Sequence, residues 1–193
     1  MGRKRENSEA RQRILETADR LFYQEGVRAV GIDRIIAEAG VAKMSLYNHF
    51  ASKDDLILAV LQHREESVLS FFRATLERHS KKTKSPLRSF FAALKDFVES
   101  PGFRGCPFQN AAVELADPSH PGTAFVRGHK QRFSEFLQGL VEETIGKSAA
   151  KVAAAVAILV EGALVTAVIQ GNAGAADVAR DAALKLAGEE KGG

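Results

Sequence analysis

The stretch GIDRIIAEAGVAKMSLYNHFASKDDL, residues 31–56, predicts how the amino-terminal part of the chain folds. Its first apolar residues recur at the spacing of one face of an α-helix: Ile32, Ile35, Ile36 and Ala39. Gly40 is expected to end that helix, because glycine adopts the positive φ of a helix terminus without a steric penalty. Leu46 and Phe50 continue the apolar set through a second short helix. Two helices joined by a tight turn with glycine predict a helix-turn-helix over residues 31–50.

The second of these helices carries hydrogen-bond donors and cations between its apolar residues. The second helix of a helix-turn-helix can enter the major groove of DNA, where such groups meet base edges and phosphates. Ser52 and Asp55, three residues apart, are typical of the start of a further helix. The pattern therefore predicts a DNA-contacting set between residues 43 and 53: Lys43, Met44, Ser45, Tyr47, Asn48, His49 and Lys53.

Helical periodicity continues on both sides of this stretch. Upstream, five apolar residues predict a helix over residues 9–24, with Ser8 as its N-cap and Gly26 after its end. Downstream, helices are predicted over residues 53–80, 86–99, 103–116, 123–145, 148–170 and 175–186. No stretch alternates with period two, so we expect no sheet. The fold class is therefore all-α with about nine helices: a homeodomain-like, three-helix helix-turn-helix domain over residues 8–62, then a larger helical domain over residues 63–190.

The formal net charge of the chain is +3, which by itself does not identify a nucleic-acid binder. Its distribution is more informative. Residues 1–53 hold ten Lys and Arg against seven Asp and Glu, whereas residues 54–193 hold seventeen of each. The whole excess therefore lies in the part predicted to read DNA. Within it, Arg3, Lys4 and Arg5 form either a solvated start of the chain or an arm that touches DNA.

The rest of the composition narrows the class of protein. A single cysteine, Cys106, excludes an internal disulfide framework and suits a reducing cytoplasm. We expect no signal peptide, and the apolar window 152–169 contains Glu161 and Gly162, so we interpret it as a buried or interface helix rather than a membrane span. No nucleophile elbow, phosphate-binding loop or metalloprotease motif occurs, so no catalytic residue, metal or cofactor is predicted.

A longer segment, LETADRLFYQEGVRAVGIDRIIAEAGVAKMSLYNHFASKDDLILAVL, resembles the DNA-binding domain of TetR/AcrR-family transcriptional regulators. The similarity covers residues 9–62. Two features depart from the family pattern. Gly31 and Ala42 stand where the family usually has Ser or Thr, so no side-chain oxygen caps either helix. Met44 replaces a residue that is commonly glycine, which places a bulky side chain near the bases.

The resemblance also implies roles for the second domain. It implies homodimerisation through the last two long helices, whose dense apolar faces permit it, and the expected interface comprises Val156, Leu159, Val160, Ala163, Leu164, Ala167, Val178 and Ala182. It further implies an effector cavity among the middle helices. The residues expected there are Phe90, Leu94, Phe97, Phe108, Asn110, Glu114, His129 and Phe133, although an aromatic stripe at helical spacing is also typical of plain core.

These expectations combine into one function. The chain is expected to be a ligand-responsive, cytoplasmic transcriptional regulator that binds a palindromic, double-stranded DNA operator as a homodimer. Repression relieved by a small, largely apolar effector is the default that the resemblance implies, and no membrane partner or enzymatic activity is expected. The alternative is a helical small-molecule-binding or protein-interaction module whose DNA reader is not operational.

Overall fold

The computed structural model describes residues 2–146 and 149–189, and within them the side chains from Ser8 onward. In this part of the chain there are nine helices and no β-strand, which confirms the prediction of an all-α protein. In chain order the helices are α1 (Gly2–Glu25), α2 (Ile32–Ala39), α3 (Lys43–His49), α4 (Lys53–Ser80), α5 (Pro86–Val98), α6 (Pro107–Leu115), α7 (Pro121–Ile145), α8 (Ala150–Gln170) and α9 (Gly174–Leu186).

The helices form two compact units. The first comprises the described residues up to Ser67 together with Pro107–Gly128, and the second comprises Val68–Cys106 and the described residues from His129 onward. The boundary predicted at residue 62 lies close to the division after Ser67. The sequence gives no sign, however, that α6 and the start of α7 belong with the DNA-reading unit.

In the first unit, α1 packs against α2 and α3. The five apolar residues that predict the α1 face are all buried, namely Ile14, Leu15, Ala18, Leu21 and Phe22. Leu46 of α3 and the following Phe50 are buried as well. Each large side chain removed from water in this way contributes about 1.5–3 kcal/mol. This shared core orients the short helix α3, which is too short to be stable alone.

The start of α1 differs from the prediction. The helix begins at Gly2, so Ser8 lies inside it, and the prediction of Ser8 as an N-cap is wrong. The side chains of Arg3, Lys4 and Arg5, the predicted basic arm, lie outside the described residues, as does Ser148, the predicted start of the eighth helix. The helix predicted over residues 103–116 begins only at Pro107, which is favoured there because a missing N–H costs nothing in the first turn of a helix.

In the second unit, α9 packs against both α5 and α8. An ion pair reinforces the contact with α5, since Lys95 Nζ lies 2.6 Å from Asp177 Oδ2. Just beyond the end of α9, Glu189 Oε2 lies 2.8 Å from Arg88 Nε of α5. The hydrogen bond from Lys95 lowers the pKa of Asp177 below its ordinary value. The same Asp177 also pairs with Arg180 at 2.6 Å. These contacts fix which face of α9 is turned outward.

By length and composition, α8 is apolar enough to cross a membrane, with a mean hydropathy of 2.4 over its most apolar window. A core helix of a soluble protein can pass the same test. Only 33% of that window is buried inside the chain. Much of the apolar surface of α8 therefore faces outward.

Candidate DNA-reading surface

The turn between α2 and α3 is closed by backbone hydrogen bonds at Gly40. Gly40 has a φ of +62°, its N–H donates to Ala37 O at 3.3 Å, and Val41 N–H donates to Ile36 O at 3.2 Å. These two bonds satisfy carbonyls at the end of α2 and reverse the chain within a few residues. Gly31 and Ala42 precede α2 and α3 without a side-chain cap, as expected from their side chains.

The outward face of α3 carries the side chains predicted to contact DNA. Met44 is 71% exposed and Tyr47 is 42% exposed, while Leu46 between them is fully buried. Lys43 and Asn48 are also exposed, whereas Ser45 and His49 are half-buried. The structure therefore places this set on one solvent-facing surface of a short helix, with Leu46 anchoring the opposite side.

Lys53 lies in the first turn of α4, beside the end of α3. The helix is capped by Ser52, whose Oγ accepts from Asp55 N–H at 3.0 Å and donates to Asp55 Oδ2 at 2.9 Å. Lys53 itself is half-buried, with Nζ 6.0 Å from the ring centroid of Phe22. Burial lowers the pKa of Lys53, while the carboxylates of Asp54 and Glu114 act in the opposite direction. Lys53 therefore keeps part of its ammonium surface open to solvent beside the end of α3.

His49 presents only one edge of its ring for a contact. Its Nε2 atom is buried and has no hydrogen-bond partner among the described residues. The ring lies beside Phe50, with centroids 6.4 Å apart. A contact between His49 and a phosphate would therefore be made through Nδ1.

Several cations of the first unit are already neutralised by acids. Arg34 donates to Glu25 Oε1 at 2.8 Å and to Glu38 Oε1 at 2.9 Å, and Arg20 also pairs with Glu38. These hydrogen bonds, that from Arg20 above all, lower the pKa of Glu38. Lys43 lies 3.2 Å from Asp33, but both side chains are largely exposed, so this pair contributes little stability and can open.

Glu114 of α6 is a contact of the reading unit that the sequence did not indicate. Its Oε2 accepts a hydrogen bond of 3.3 Å from the backbone N–H of Arg28, in the turn between α1 and α2. Its carboxylate also occupies the space beside Gly26, where a β-carbon would lie only 2.9 Å from Glu114 Cδ. Because 86 residues separate Arg28 from Glu114 along the chain, no local pattern could predict this contact.

Gly26→Ala should destabilise the first unit by about 1–3 kcal/mol. Gly26 has a φ of +97°, which side chains rarely adopt, and the added methyl would meet the Glu114 carboxylate. The measurement is urea unfolding followed by circular dichroism. Gly31→Ala is the matched control, since Gly31 has a φ of −85° and open space around it. Equal unfolding midpoints for the two variants would contradict this account of Gly26.

Comparison with known proteins identifies the chain. Residues 14–60 match the family described as bacterial regulatory proteins, tetR family, and residues 84–183 match the tetracyclin repressor-like C-terminal domain. The chain belongs to the TetR family of transcriptional regulators. It is thus a DNA-binding transcriptional regulator, and regulators of this family are non-enzymatic.

Relatives and solved structures agree with this assignment. The TetR-family chain is 38% identical over 105 residues to the HTH-type transcriptional activator FasR of Mycolicibacterium smegmatis, covering 53% of this chain and 48% of FasR. It is 31% identical over 133 residues to the HTH-type transcriptional repressor DhaR of a Mycobacterium species, covering 68% of this chain and 66% of DhaR. The chain therefore spans about half of the first relative and slightly less than two thirds of the second.

The fold of this chain matches solved TetR-family regulators over nearly their whole length. A regulator from Streptomyces coelicolor superposes with a TM-score of 0.84 at 34% identity, covering 95% of this chain and 97% of that one. A regulator from Streptomyces avermitilis superposes with a TM-score of 0.77 at 25% identity, covering 94% of this chain and 99% of that one. The order of a reading domain followed by a helical domain is common to these proteins.

In this TetR-family chain, the eight residues predicted to line an effector cavity are divided between the two units. Phe108, Asn110 and Glu114 belong to the first unit. Asn110 and Glu114 line a cavity of about 30 Å³ there, which has room for water but not for an organic effector. Glu114 also accepts a hydrogen bond from the backbone N–H of Arg28, and its role as an effector anchor stays a prediction.

The other five predicted cavity residues lie in the second unit: Phe90, Leu94, Phe97, His129 and Phe133. Phe90 and Leu94 are buried. The phenylalanine rings of this group contact one another or neighbouring phenylalanines. Phe90 stacks on Phe72 at 6.0 Å and meets Phe133 at 6.2 Å, and Phe97 meets Phe103 at 5.6 Å. His129 is 9% exposed.

Cys106, also buried in this unit, accepts a hydrogen bond of 3.4 Å from Lys130, which pairs with Glu161.

The predicted dimer interface needs correction at five positions. Val156, Val160, Ala163, Leu164 and Ala167 are 0–6% exposed in the single chain. They lie in the core of their own unit, so a partner subunit cannot reach them. Of the remaining predicted residues, Leu159 and Ala182 are half-buried and Val178 is 71% exposed. The outward apolar side chains of α8 and α9 are instead Ile158, Val165, Val168, Ile169, Val178 and Leu186.

Proposed function

We propose that this regulator binds a palindromic operator as a homodimer, with α8 and α9 forming the seam between subunits. The support is the exposed apolar stripe of these helices, in which Ile158 is 73% and Ile169 is 78% exposed. Soluble proteins rarely leave a contiguous patch of this kind uncovered. Ala154 and Gly162, exposed on the same side of α8, leave room for close approach of a second helix.

Within each subunit, we assign Lys43, Met44 and Asn48 to base edges. The amino-terminal part of a recognition helix points deepest into the major groove. Lys43 and Met44 are exposed in that part, and Asn48 is exposed one turn further on, next to the exposed Tyr47. Phosphate contacts are assigned to Tyr47, His49 and Lys53, and Ser45 is assigned to either class. Phosphate contacts fix the register of the protein on the duplex, whereas base contacts select the sequence.

The regulator is proposed to be a cytoplasmic repressor that a small, largely apolar effector releases from DNA. One similar protein is named an activator and another a repressor, so the sign of regulation rests on the family default. The effector is proposed to enter among Phe90, Leu94, Phe97 and Phe133, with His129 as a polar anchor. Because the rings touch one another, an effector must part them, and its preference for the parted packing would shift the equilibrium between states.

Selection of bound sequences from random double-stranded DNA tests the proposed operator. The expected result is an enriched palindrome whose half-site centres lie about one helical turn, roughly 34 Å, apart. Enrichment of a single, unrepeated half-site would contradict dimeric reading. No enrichment at all would favour the alternative of a helical small-molecule-binding or protein-interaction module whose reader is not operational. Release of the selected DNA by apolar compounds, in the presence of purified protein, then tests the effector class.

Met44→Gly should change the base preferred at one position of each half-site. The Met44 side chain is 71% exposed, and its flexible thioether can contact a thymine methyl group in the major groove. Affinity for the original operator should fall by about 1–3 kcal/mol. Unfolding free energy should fall by only about 1 kcal/mol, from glycine in a helix.

Repeating the DNA selection with the variant is the measurement that checks this prediction. Val113→Gly is the control, because Val113 is a similarly exposed apolar residue of a helix, at 74%, that lies outside the recognition helix. The control should return the wild-type base preferences. If Met44→Gly did the same, base selection would pass to Lys43 and Asn48.

A further inference from the structure

Arg11 of α1 is an exposed arginine of the reading unit that differs from Arg20, Arg34 and Arg64 in forming no ion pair with the described acids. Arg20 pairs with Glu38, Arg34 with Glu25 and Glu38, and Arg64 with Asp19. Among the described residues, no carboxylate forms an ion pair with Arg11, and its side chain is exposed. Its positive charge is therefore available to an external anion.

The position of Arg11 is set by an aromatic ring at the end of the recognition helix. Its guanidinium carbon lies 5.3 Å from the ring centroid of Phe50. Phe50 is the C-cap residue of α3, is only 4% exposed, and follows His49 directly. A guanidinium held against a buried ring loses less entropy when it binds an anion than a freely rotating side chain does.

We propose that Arg11 is a further DNA-phosphate contact, placed on α1 and held over Phe50 at the carboxyl end of α3. This inference rests on the proposed function of the reading surface. A phosphate is favoured over a base as the partner, because the amino-terminal part of a recognition helix, not its end, enters the groove most deeply. The planar fork of the guanidinium also matches two phosphate oxygens at once.

A contact with phosphate predicts a salt dependence that a structural role would not produce. Each phosphate neutralised by a cation contributes about 0.9 to the slope of log affinity against log salt concentration. Arg11→Ala should lower the magnitude of this slope by about 0.9, the contribution of one phosphate contact. The loss of affinity should therefore be about threefold larger at 50 mM than at 200 mM salt. The loss of affinity should be the same on the selected operator and on an unrelated duplex, because phosphates carry no sequence information.

Four variants of the full chain are compared by fluorescence anisotropy over that salt range. Arg11→Ala tests the contact, and Arg11→Lys keeps the charge but removes the planar fork, so it should keep the slope and lose part of the affinity. Arg20→Ala is the matched control: it removes the same charge from the same helix, at an arginine paired with Glu38. Its slope should equal that of the wild type. Lys53→Ala, at a proposed phosphate contact, should flatten the slope.

The outcomes separate this inference from the proposed function. If Lys53→Ala flattens the slope and Arg11→Ala leaves it at the wild-type value, Arg11 is not a phosphate contact, even if affinity falls. If Arg11→Ala unfolds, a lowered slope for Arg11→Lys overturns the inference as well. If the wild-type chain binds no duplex at any salt concentration, the proposed function itself fails, and this contact fails with it.

Discussion

Ile158→Arg should give a folded monomer whose affinity for the operator is lower by about 100-fold or more. Ile158 lies on the exposed side of α8 and is 73% accessible, so the long arginine side chain is tolerated in the isolated chain. In a dimer the same guanidinium would be buried without a partner, which is strongly unfavourable. A monomer has one reading helix, and losing the second removes an advantage of about 10²–10⁴ that comes from bivalent binding.

Light scattering, thermal unfolding and operator titration together check this expectation. Val113→Arg is the matched control, because it makes a similar substitution at a residue of nearly equal exposure, 74%, on α6 rather than on α8 or α9. The control should remain dimeric and bind the operator normally. A dimeric Ile158→Arg protein would place the subunit interface on another surface of the chain.

Ala163→Arg should instead strongly destabilise the second unit. Ala163 is only five residues further along α8, but it is 4% exposed, because it faces the interior of its own unit. An arginine there both overfills a packed core and buries an unpaired charge, at a cost of about 4 kcal/mol or more. Since a whole domain is stable by only about 5–15 kcal/mol, this cost removes a large part of its stability and should lower the urea unfolding midpoint steeply.

Urea unfolding followed by circular dichroism measures this effect. Ala154→Arg is the control for folding, since Ala154 is an alanine of the same helix with an exposed side chain. It should unfold at nearly the wild-type midpoint, although it lies on the proposed seam and should weaken the dimer. A folded, monomeric Ala163→Arg protein would mean that this face of α8, and not the outward one, meets the partner subunit.

The reading unit could be predicted from sequence because its signals are local. Gly40 ends α2 with positive φ, Ser52 caps α4, and Leu46 and Phe50 anchor α3 to the core. Each of these features depends on residues within one or two turns of one another, so spacing alone identifies them. The same locality separates the exposed donors of α3 from its buried residues.

The beginning of α1 shows the limit of local rules even there. Ser8 has the side chain of a good N-cap and precedes an amphipathic stripe, yet the helix continues back to Gly2. A serine can cap only where the helix actually starts, and in this chain nothing between Gly2 and Ser8 ends the helix. Capping signals therefore favour a boundary without enforcing one.

By itself, then, the sequence determined the all-α fold, the helix-turn-helix and the exposed face of α3. Only the tertiary structure decided which side of α8 is buried, since a helix that is apolar nearly all round has no periodicity from which a face can be chosen. It alone also placed Glu114 against Gly26 and Arg28, and Arg11 over Phe50. Those contacts join residues 39 to 88 positions apart, and such pairs are selected by the packing of whole helices, which no short sequence pattern records.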